Sequence, residues 1–598
     1  MSAGRIEVPF KAEEVKGHRH DFVNCPAFRL LPDELQKRVR KEAHLGRYLH
    51  ILPMRDYGPP RFFPQLSRKM RGMKNPNLFY PVGEGVYIHI YPDPGDIRDY
   101  YIPVEPSTLL DLDPLIERVE RRMVEFVSEL EAATSPEHRR QVILDLLDRI
   151  VEVVDEEEAP PEEAEEDEEE GEGKRRRNGK GGGLFGFLRG GKRERIRVTR
   201  AQYEGLRYLL IRNINGLGVL EPLILDPYIE DISCSGMGPV FVEHKIFGSL
   251  KSTVVFETTQ ELDQFVIQMS EKMGRPVSFR EPVVDAELPD GSRINIVFGS
   301  DVSKRGSNFT IRKFATTPMS VLELIETGSI NYEIAAYLWL CLQDGMNAWV
   351  SGETASGKTT LMNALTTFVP PNAKIVSIEE TPEIQVPHPN WIRGLTRGAS
   401  KNAQASAVTM FDLLKAALRQ RPNLIIVGEI RGEEGAIAFQ AMQTGHAVMS
   451  TFHASTVERL IQRVTGNPIN VPITYMDNLN LVILQSAVRL PNGSIGRRCI
   501  AIAEIIGYDP SSDAVNFIEV FRWDPTTDRF HFRGHFNSFL LEEKIAPRRG
   551  LPPQRKREIY SELERRALIL QKIHKQGVTN FYALYNVLAK AYREGIIR

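Results

Sequence analysis

The chain has 598 residues, of which 42% are hydrophobic and 26% are charged, and its formal net charge is −3. This length predicts several domains, and the nearly neutral charge excludes a protein that binds polyanions over its whole surface. Four scattered cysteines without a C-x-x-C pair argue against a thiolate zinc site and against a disulfide framework. The charged N-terminus is not typical of a signal peptide, and no stretch reaches the ~18 apolar residues of a transmembrane helix, so we expect an intracellular protein.

The first segment, residues 1–154, is predicted to be an N-terminal α+β module. Val86–Tyr91 alternates in polarity and is rich in β-formers, which is typical of a strand. Residues 114–154 repeat apolar positions at helical spacing, which predicts two amphipathic helices separated near Ser135 and Pro136.

Residues 155–195 differ sharply in composition from their surroundings, being first acidic and then basic and rich in glycine. Such a composition cannot form a core, so we predict a disordered linker. Two roles remain open for it. It is either a solvated spacer, or its basic half, with its leucines and phenylalanines, contacts anionic lipid or an acidic partner.

Residues 196–311 are predicted to form a further α+β domain, which includes a hairpin turn at Asp290 and Gly291. A short connector, 312–318, leads to residues 319–598, in which strand and helix patterns alternate up to about residue 510. This alternation predicts an α/β domain with a mostly parallel sheet covered by helices on both faces, followed by C-terminal helices.

A phosphate-binding loop is the most specific motif of the sequence. Residues 352–359 match G-x-x-x-x-G-K-[ST] between a predicted buried strand and a predicted helix. The glycines let backbone N–H groups converge on an anion, Lys358 is expected to pair with the β- and γ-phosphates, and the Thr359 hydroxyl is expected to hold Mg²⁺. The predicted nucleotide-binding residues are Gly352, Glu353, Thr354, Ala355, Ser356, Gly357, Lys358, Thr359 and Thr360.

Two predicted strands of the same domain end in carboxylates. Residues 424–427 lead into Glu429, which lies where open α/β sheets bind ligands and is therefore expected to help hold Mg²⁺ or the attacking water. Residues 375–378 lead into Glu379, our candidate for the carboxylate that activates this water. For each acid, the alternative is a structural role at a turn or helix end.

Residues 444–453 form another predicted strand with polar groups around it. His446, Thr451 and His453 can hydrogen-bond the γ-phosphate and report its hydrolysis to the fold. Histidines with a purely structural role are an equal alternative.

Four stretches together resemble the secretion ATPase superfamily, which drives type II secretion, type IV pili, type IV secretion and the archaellum. They read GETASGKTT, IEETPEIQ, LRQRPNLIIVGEIRG and TGHAVMSTFHAST, and they look like the family's Walker A, acid, Walker B and histidine motifs. Residues 220–226, 229–232 and 286–295 are similar to its N-terminal domain. Residues 80–87 and 560–567 resemble the archaeal branch, which contains the archaellum and archaeal pilus assembly ATPases.

This resemblance implies a RecA-like ATPase domain preceded by a smaller PAS-like domain and an extra N-terminal module. It implies a homo-hexamer that uses ATP and Mg²⁺, with catalytic roles for Glu379, Glu429 and His453. The resemblance also implies that four arginines contact the nucleotide. Arg293 in the hairpin and Arg312 in the connector are catalytic candidates. Arg419 and Arg463 in the ATPase domain are possible further contacts. A surface salt bridge is the alternative for each arginine.

The leading functional hypothesis is a cytoplasmic motor at the inner face of the membrane. It would act through a polytopic membrane platform protein on pilin-like or archaellin subunits, without nucleic acid as a partner. Two other classes remain open: a nucleic-acid translocase or conjugation-like type IV secretion ATPase, and a regulatory module that binds ATP without doing mechanical work.

Overall fold

The computed structural model describes residues 8–10, 25–67, 70, 72–133, 135–155, 195–314, 317–397, 407–491 and 493–597. The chain divides into two compact units, Met1–Phe314 (unit 1) and Ala315–Arg598 (unit 2). The predicted linker lies outside the described residues except at its two ends, and so do residues 315 and 316 of the predicted connector.

Unit 1 combines strands and helices throughout its length. Its strands are β1 (Arg61–Phe62), β2 (Leu78–Gly83), β3 (Val86–Tyr91), β4 (Tyr100–Val104), β5 (Val151–Val153), β6 (Ile196–Val198), β7 (Ile229–Cys234), β8 (Gly238–His244), β9 (Gly248–Phe256), β10 (Val283–Glu287), β11 (Arg293–Val297) and β12 (Asn308–Arg312). Its helices are α1 (Pro26–Arg29), α2 (Asp33–Val39), α3 (Ala43–Ile51), α4 (Met54–Tyr57), α5 (Asp113–Met123), α6 (Val127–Glu131), α7 (Pro136–Ile150), α8 (Arg200–Ile214), α9 (Glu221–Leu225) and α10 (Thr259–Lys272). The predicted strand at Val86–Tyr91 is confirmed, and so is the helix boundary at Ser135, whose hydroxyl caps α7.

Within the described residues, one ten-stranded sheet dominates unit 1, in the order β1-β2-β3-β4-β9-β8-β7-β12-β11-β10. The sheet is antiparallel except where β1 meets β2 and where β4 meets β9. The sequence analysis separates residues 1–154 from residues 196–311, whereas here strands from both segments share this sheet. The junction is the pairing of Tyr100 and Tyr101 with Lys251 and Ser252, a contact between segments that local sequence patterns do not report.

A buried carboxylate also joins the two segments of unit 1. The hydroxyl groups of Tyr80 and Tyr101 donate to Oδ2 of Asp226, at 2.6 and 2.9 Å. Burial raises the pKa of Asp226, and these two hydrogen bonds partly offset that effect. Asp226 therefore fixes the strands of the first segment to the start of the second.

Three helices of unit 1 flank the predicted linker in sequence, α5 and α7 before it and α8 after it. Apolar side chains of α5, α7 and α8 form one hydrophobic cluster that also includes Val151 and Val198. β5 and β6 pair in parallel, with Val151 opposite Ile196 and Val153 opposite Val198. The two ends of the segment 156–194 are therefore held side by side.

Unit 2 contains the alternating part of the sequence. Its strands are β13 (Ala348–Ser351), β14 (Ile375–Glu379), β15 (Trp391–Leu395), β16 (Leu424–Glu429), β17 (Ala447–Phe452), β18 (Leu481–Arg489), β19 (Ile495–Asp509), β20 (Ala514–Asp524) and β21 (Arg529–Phe532). Its helices are α11 (Val321–Glu326), α12 (Tyr332–Gln343), α13 (Lys358–Leu365), α14 (Met410–Arg419), α15 (Glu434–Gln443), α16 (Val457–Thr465), α17 (Ala546–Arg548), α18 (Ile559–Lys575) and α19 (Phe581–Arg593).

The sheet of unit 2 follows the order β15-β14-β16-β17-β13-β18-β19-β20-β21. Strands from β15 to β18 are parallel, whereas β18 to β21 are antiparallel. The predicted α/β class with a mostly parallel sheet is confirmed, while the antiparallel extension beyond β18 was not predicted. Because β13, β16 and β17 run in the same direction, their carboxyl ends meet at one edge of the sheet.

Helices cover both faces of this sheet, as predicted. Alternate residues of β13, such as Val350 and Trp349, belong to two different hydrophobic clusters. One cluster contains α11, α12, α13 and the C-terminal helices α18 and α19, and the other contains α14, α15 and α16. This arrangement explains why the central strands read as continuous apolar runs, since both of their faces are buried.

Among the described residues, no single helix is long and apolar enough to cross a membrane. A bent pair, Arg200–Ile214 with Gly218–Leu225, meets the length and composition criteria only when its two helices are taken together across a bend of 103°. The four cysteines are buried and free, which agrees with the expectation that they form no disulfide framework.

Candidate nucleotide-binding site

The phosphate-binding loop joins the end of β13 to the start of α13, as the sequence predicts. Gly352 permits a close approach, because a Cβ there would lie 2.0 Å from the carbonyl oxygen of Gln485. Gly357 has a φ of +91° and caps α13, and Ala355 is held at a φ of +61°. These left-handed residues turn successive backbone N–H groups toward the helix N-terminus, which is the geometry of an anion-binding loop.

Lys358 is buried within this loop. Its Nζ donates to the carbonyl oxygens of Gly352 and Glu353, at 3.1 and 2.9 Å. Burial lowers the pKa of Lys358, while the nearby carboxylates of Glu429 and Glu383 act in the opposite direction. The hydroxyl of Ser356 is also buried, without a hydrogen-bond partner in the described part of the chain. A phosphate oxygen would satisfy both groups, so the loop fits a polyphosphate.

Glu429, His453 and Lys358 form a continuous polar chain at the carboxyl edge of the sheet. Nε2 of His453 lies 2.8 Å from Oε1 of Glu429, and Nδ1 of His453 lies 3.4 Å from Nζ of Lys358. Burial and then the Lys358 ammonium group lower the pKa of His453, which favours a neutral ring at pH 7. A neutral ring with its proton on Nε2 can accept from Lys358 through Nδ1, while its Nε2 side faces Oε1 of Glu429.

The other oxygen of Glu429 is held by an arginine. Nη2 of Arg431 lies 2.6 Å from Oε2 of Glu429, and Nη1 of Arg431 lies 3.6 Å from Oε2 of Glu380. Oε1 of Glu429 is buried and makes no hydrogen bond of good geometry to any residue that the structure describes. Glu429 therefore retains an oxygen that is suited to an additional partner at the end of β16.

Glu379 ends β14 but is enclosed by its own neighbours. Its Oε1 accepts from the backbone N–H groups of Glu383 and Ile384, at 2.7 and 2.6 Å. Its Oε2 accepts from Nε of Arg393 at 3.2 Å, and the residue is only 1% exposed. Burial raises the pKa of Glu379 to about 7, against the opposing effect of these hydrogen bonds and of Arg393. Both oxygens of Glu379 are therefore engaged by other groups of the chain, and its role as the acid that activates water stays a prediction.

Glu383 is the acid that the sequence analysis missed. Its carboxylate is exposed, and it acts electrostatically on both Lys358 and Arg431. It lies four residues beyond Glu379, on the segment that turns back over α13. Glu383 is the third glutamate of IEETPEIQ, but local pattern alone did not show which acid of this motif faces solvent.

The remaining loop residues differ in exposure. Glu353 and Thr354 are exposed, and Thr359 and Thr360 are half-buried in the first turn of α13. Thr359 and Glu429 are the predicted Mg²⁺ ligands, and a hydroxyl with a carboxylate is the oxygen donor set that Mg²⁺ takes together with phosphate oxygens and water. Among the described residues there is no group of three or more His, Cys, Asp or Glu side chains that could hold a metal by itself.

The predicted histidine motif is divided between the two ends of β17. His446 immediately precedes the strand and His453 immediately follows it, so they lie roughly 20 Å apart at opposite edges of the sheet. The Oγ1 of Thr451 donates to the carbonyl oxygen of Gly428 at 2.6 Å. The structure therefore places His453 beside the phosphate loop, whereas Thr451 supports the end of β16 and His446 is remote.

The four predicted arginines occupy different surroundings. Arg463 on α16 donates to the carbonyl oxygen of His453 and lies over the Phe452 ring, while Arg419 is exposed at the end of α14. Arg293 and Arg312 belong to unit 1, where they are cross-strand neighbours on β11 and β12. Arg312 lies 3.5 Å from Asp231, and Arg293 lies 4.0 Å from Asp285.

A further arginine supports the phosphate loop from β19, and the sequence analysis did not single it out. Nε of Arg497 donates to the carbonyl oxygen of Ala355 at 3.1 Å. Its Cδ lies 3.1 Å from the position that a Cβ on Gly357 would take. No local motif marks Arg497, because β19 reaches the loop only through the antiparallel part of the sheet.

Comparison with known proteins agrees with this geometry. The family profile described as "Type II/IV secretion system protein" matches residues 213–498. The uncharacterized protein MJ0900 of Methanocaldococcus jannaschii is 42% identical over 568 residues, covering 94% of this chain and 97% of that protein. The chain belongs to the type II/IV secretion system protein family.

Other known proteins are similar to parts of this chain. Protein VirB11 of Agrobacterium fabrum is 28% identical over 257 residues, which is 38% of this chain and 73% of VirB11. Among solved structures, the Legionella pneumophila ATPase DotB is 18% identical with a TM-score of 0.35, covering 61% of this chain and 93% of DotB. The VirB11 ATPase of Brucella suis is 25% identical with a TM-score of 0.24, covering 49% of this chain and 94% of that structure.

Proposed function

We propose that this chain is an ATP-hydrolysing motor of a type II/IV secretion or pilus-type machine. The observation that carries the proposal is the polar chain from Lys358 through His453 to Glu429, which crosses three neighbouring strand ends. The phosphate loop supplies an anion site at one end of this chain, and a carboxylate stands at the other. Membership of the secretion family supports the coupling of this site to transport.

In this proposal, the nucleotide phosphates bind the loop 352–357 and the N-terminus of α13. Lys358 exchanges its bonds to loop carbonyl oxygens for bonds to phosphate, and the Ser356 hydroxyl gains the partner that it lacks in the described residues. Thr359 and Glu429 would hold Mg²⁺, which neutralises charge on the phosphates. Backbone N–H groups and the helix dipole favour the same anion.

We assign the orientation of the attacking water to Glu383 in place of Glu379. Glu383 has an exposed carboxylate that interacts with Lys358, whereas both oxygens of Glu379 are already bonded. A carboxylate that orients and deprotonates water typically contributes about 10²- to 10⁴-fold to the rate. Removing the Glu383 carboxylate therefore has a larger expected effect on turnover than any change at Arg419.

His453 is positioned to sense the loss of the terminal phosphate. It contacts Lys358 on one side and Glu429 on the other, and its own carbonyl oxygen is bonded by Arg463. A change in the Lys358 contacts therefore passes to Arg463 in the last turn of α16. Such a short polar path is a suitable way to couple phosphate contacts to movement of a domain.

Membership of the family supports a proposal for the assembly and its partners. We propose a homo-hexamer that works at the cytoplasmic face of the membrane, with a polytopic platform protein and pilin-like or archaellin subunits as its partners. Arg293 and Arg312, side by side on unit 1, would complete a nucleotide site within that assembly. The Methanocaldococcus jannaschii relative supports placement in the archaeal branch.

A conjugation-like type IV secretion ATPase is the second candidate. Its support is the similarity to a protein named "Type IV secretion system protein PtlH" from Bordetella pertussis, which is 33% identical over 213 residues. That match spans 32% of this chain and 62% of PtlH.

Turnover and nucleotide binding test the proposal directly. We expect Lys358→Ala to lose ATP binding, and Glu383→Gln to keep binding while its kcat falls about 10²-fold or more. Lys572→Ala, an exposed lysine on α18, is the matched control and should keep both properties. Purified wild-type protein without Mg-ATP affinity, or a Glu383→Gln variant with normal kcat, would contradict the assignment. Size-exclusion chromatography with a non-hydrolysable ATP analogue tests the hexamer.

A further inference from the structure

The segment that carries Glu383 is held by side chains on both of its sides. The backbone N–H of Glu383 donates to Oε1 of Glu379 at 2.7 Å, and the carbonyl oxygen of Glu383 accepts from Nδ2 of Asn363 at 2.9 Å. The N–H of Ile384 donates to the same Oε1 at 2.6 Å, and the N–H of Gln385 donates to Oδ1 of Asn363 at 3.2 Å. Residues 383–385 thus make four backbone hydrogen bonds to the side chains of Asn363 and Glu379.

These two side chains are buried and come from rigid elements. Asn363 lies on α13 and is 8% exposed, and Glu379 ends β14 and is 1% exposed. Arg393 of β15 holds the second oxygen of Glu379 at 3.2 Å, which fixes that carboxylate from the opposite direction. Buried polar groups with all their partners in place specify one local arrangement, because any displacement leaves a donor or acceptor unpaired.

The position of Asn363 on α13 links this segment to the phosphate loop. Lys358 is the first residue of the same helix, so the two residues lie roughly 7.5 Å apart along the helix axis. A displacement of the start of α13 is therefore transmitted through Asn363 to the backbone of Glu383.

We propose that Asn363 and Glu379 are positioning residues that hold the Glu383 carboxylate in register with the phosphate loop. This inference rests on the proposed ATP hydrolysis, and neither residue is assigned contact with the nucleotide. Glu379 fixes the backbone N–H of Glu383, and Asn363 fixes its carbonyl oxygen. Glu379, our candidate base from the sequence, thereby gains a different role in the same reaction.

The expected signature is a loss of turnover without a loss of affinity. A misplacement of a reacting group by about 1 Å can cost about 10²-fold in rate, so we expect Asn363→Ala to lower kcat about 10- to 100-fold. Nucleotide affinity should stay within about twofold of wild type, because the phosphate loop keeps its own contacts. Asn363→Asp keeps the side-chain size and the acceptor for Gln385, but it removes the donor to the Glu383 carbonyl oxygen and should show the same split.

The control is Thr367→Val, just beyond α13. Thr367 is buried and donates to the carbonyl oxygen of Ala364 at 2.8 Å, without contacting the Glu383 segment. The Thr367→Val variant should lose thermal stability, as the Asn363 variants do, but its kcat should stay near the wild-type value. A merely structural role for Asn363 would make the two variants behave alike.

A double-variant comparison completes the test. In a Glu383→Gln background, adding Asn363→Ala should cost no further turnover, since the carboxylate to be positioned is gone. Additive losses would overturn the inference, as would equal losses of kcat and of affinity for a non-hydrolysable ATP analogue in the Asn363 variants. Absence of ATP hydrolysis by the wild-type protein would instead reject the proposed function on which this inference stands.

Discussion

Replacing Glu379 by glutamine should change how the stability of unit 2 depends on pH. Burial raises the pKa of Glu379 from 4.5 to about 7 in the folded chain. Between these two pH values the folded state binds more protons than the unfolded state, so stability is lost as the pH rises through this window. Glutamine has no proton to lose, and the variant should be free of this dependence.

The size of the effect follows from the pKa. A change of the pKa from 4.5 to about 7 corresponds to about 3 kcal/mol, at about 1.36 kcal/mol for each tenfold change in proton affinity. Of this, about 2 kcal/mol falls between pH 5.5 and pH 8. For a unit of this size, about 2 kcal/mol corresponds to about 3 °C in Tm.

Scanning calorimetry at the two pH values measures this difference. Relative to wild type, the Tm of Glu379→Gln unit 2 should rise by about 3 °C between pH 5.5 and pH 8. Glu383→Gln is the matched control, because it removes an exposed carboxylate of the same kind four residues away. A Tm difference between Glu379→Gln and wild type that is the same at both pH values would refute the reasoning.

Two further changes test the packing around the site. Gly352→Ala should abolish nucleotide binding, because its Cβ would lie 2.0 Å from the Gln485 carbonyl oxygen, and equilibrium titration with a fluorescent ATP analogue measures this. Arg498→Ala should lower the free energy of unfolding by about 2–3 kcal/mol, because it breaks a bidentate ion pair with Asp528 at 2.7 and 2.8 Å. Denaturant unfolding reports the second change.

Each of these changes has a matched control. Gly394→Ala on β15 meets only ordinary contacts of 3.4 Å or more and should bind nucleotide normally. Arg522→Ala removes an exposed ion pair with Glu519 and should cost at most about 0.5 kcal/mol. Normal binding by Gly352→Ala, or equal destabilisation by the two arginine variants, would contradict the packing described here.

Much of unit 2 could be predicted because its signals are local. A glycine-rich loop between an apolar run and a helix specifies its own geometry, and the buried runs 375–378 and 424–427 indicate parallel strands. The exact ends of these strands also place acids at a common edge. For this reason the positions of Lys358 and Glu429 follow from the sequence.

What the sequence could not indicate depends on contacts between distant segments. Glu379 and Glu383 belong to one short motif, and only the hydrogen bonds from Arg393 and from two backbone N–H groups to Glu379 show which acid is enclosed. His446 and His453 look equivalent in sequence, yet a six-residue strand puts them at opposite edges of the sheet. The pairing of β4 with β9 likewise has no local signature, which is why the segments of unit 1 looked independent.

The parallel pairing of β5 with β6 sets a lower limit on the length of the segment between them. A connection between parallel strands must travel back along the strand and cross to its neighbour, whereas antiparallel strands need only a tight turn. For three-residue strands this return is roughly 10 Å, which about four to six residues can span. Nearly all of the acidic and basic stretch therefore exceeds what closure demands, and its length can be altered over a wide range without disturbing the strand pair.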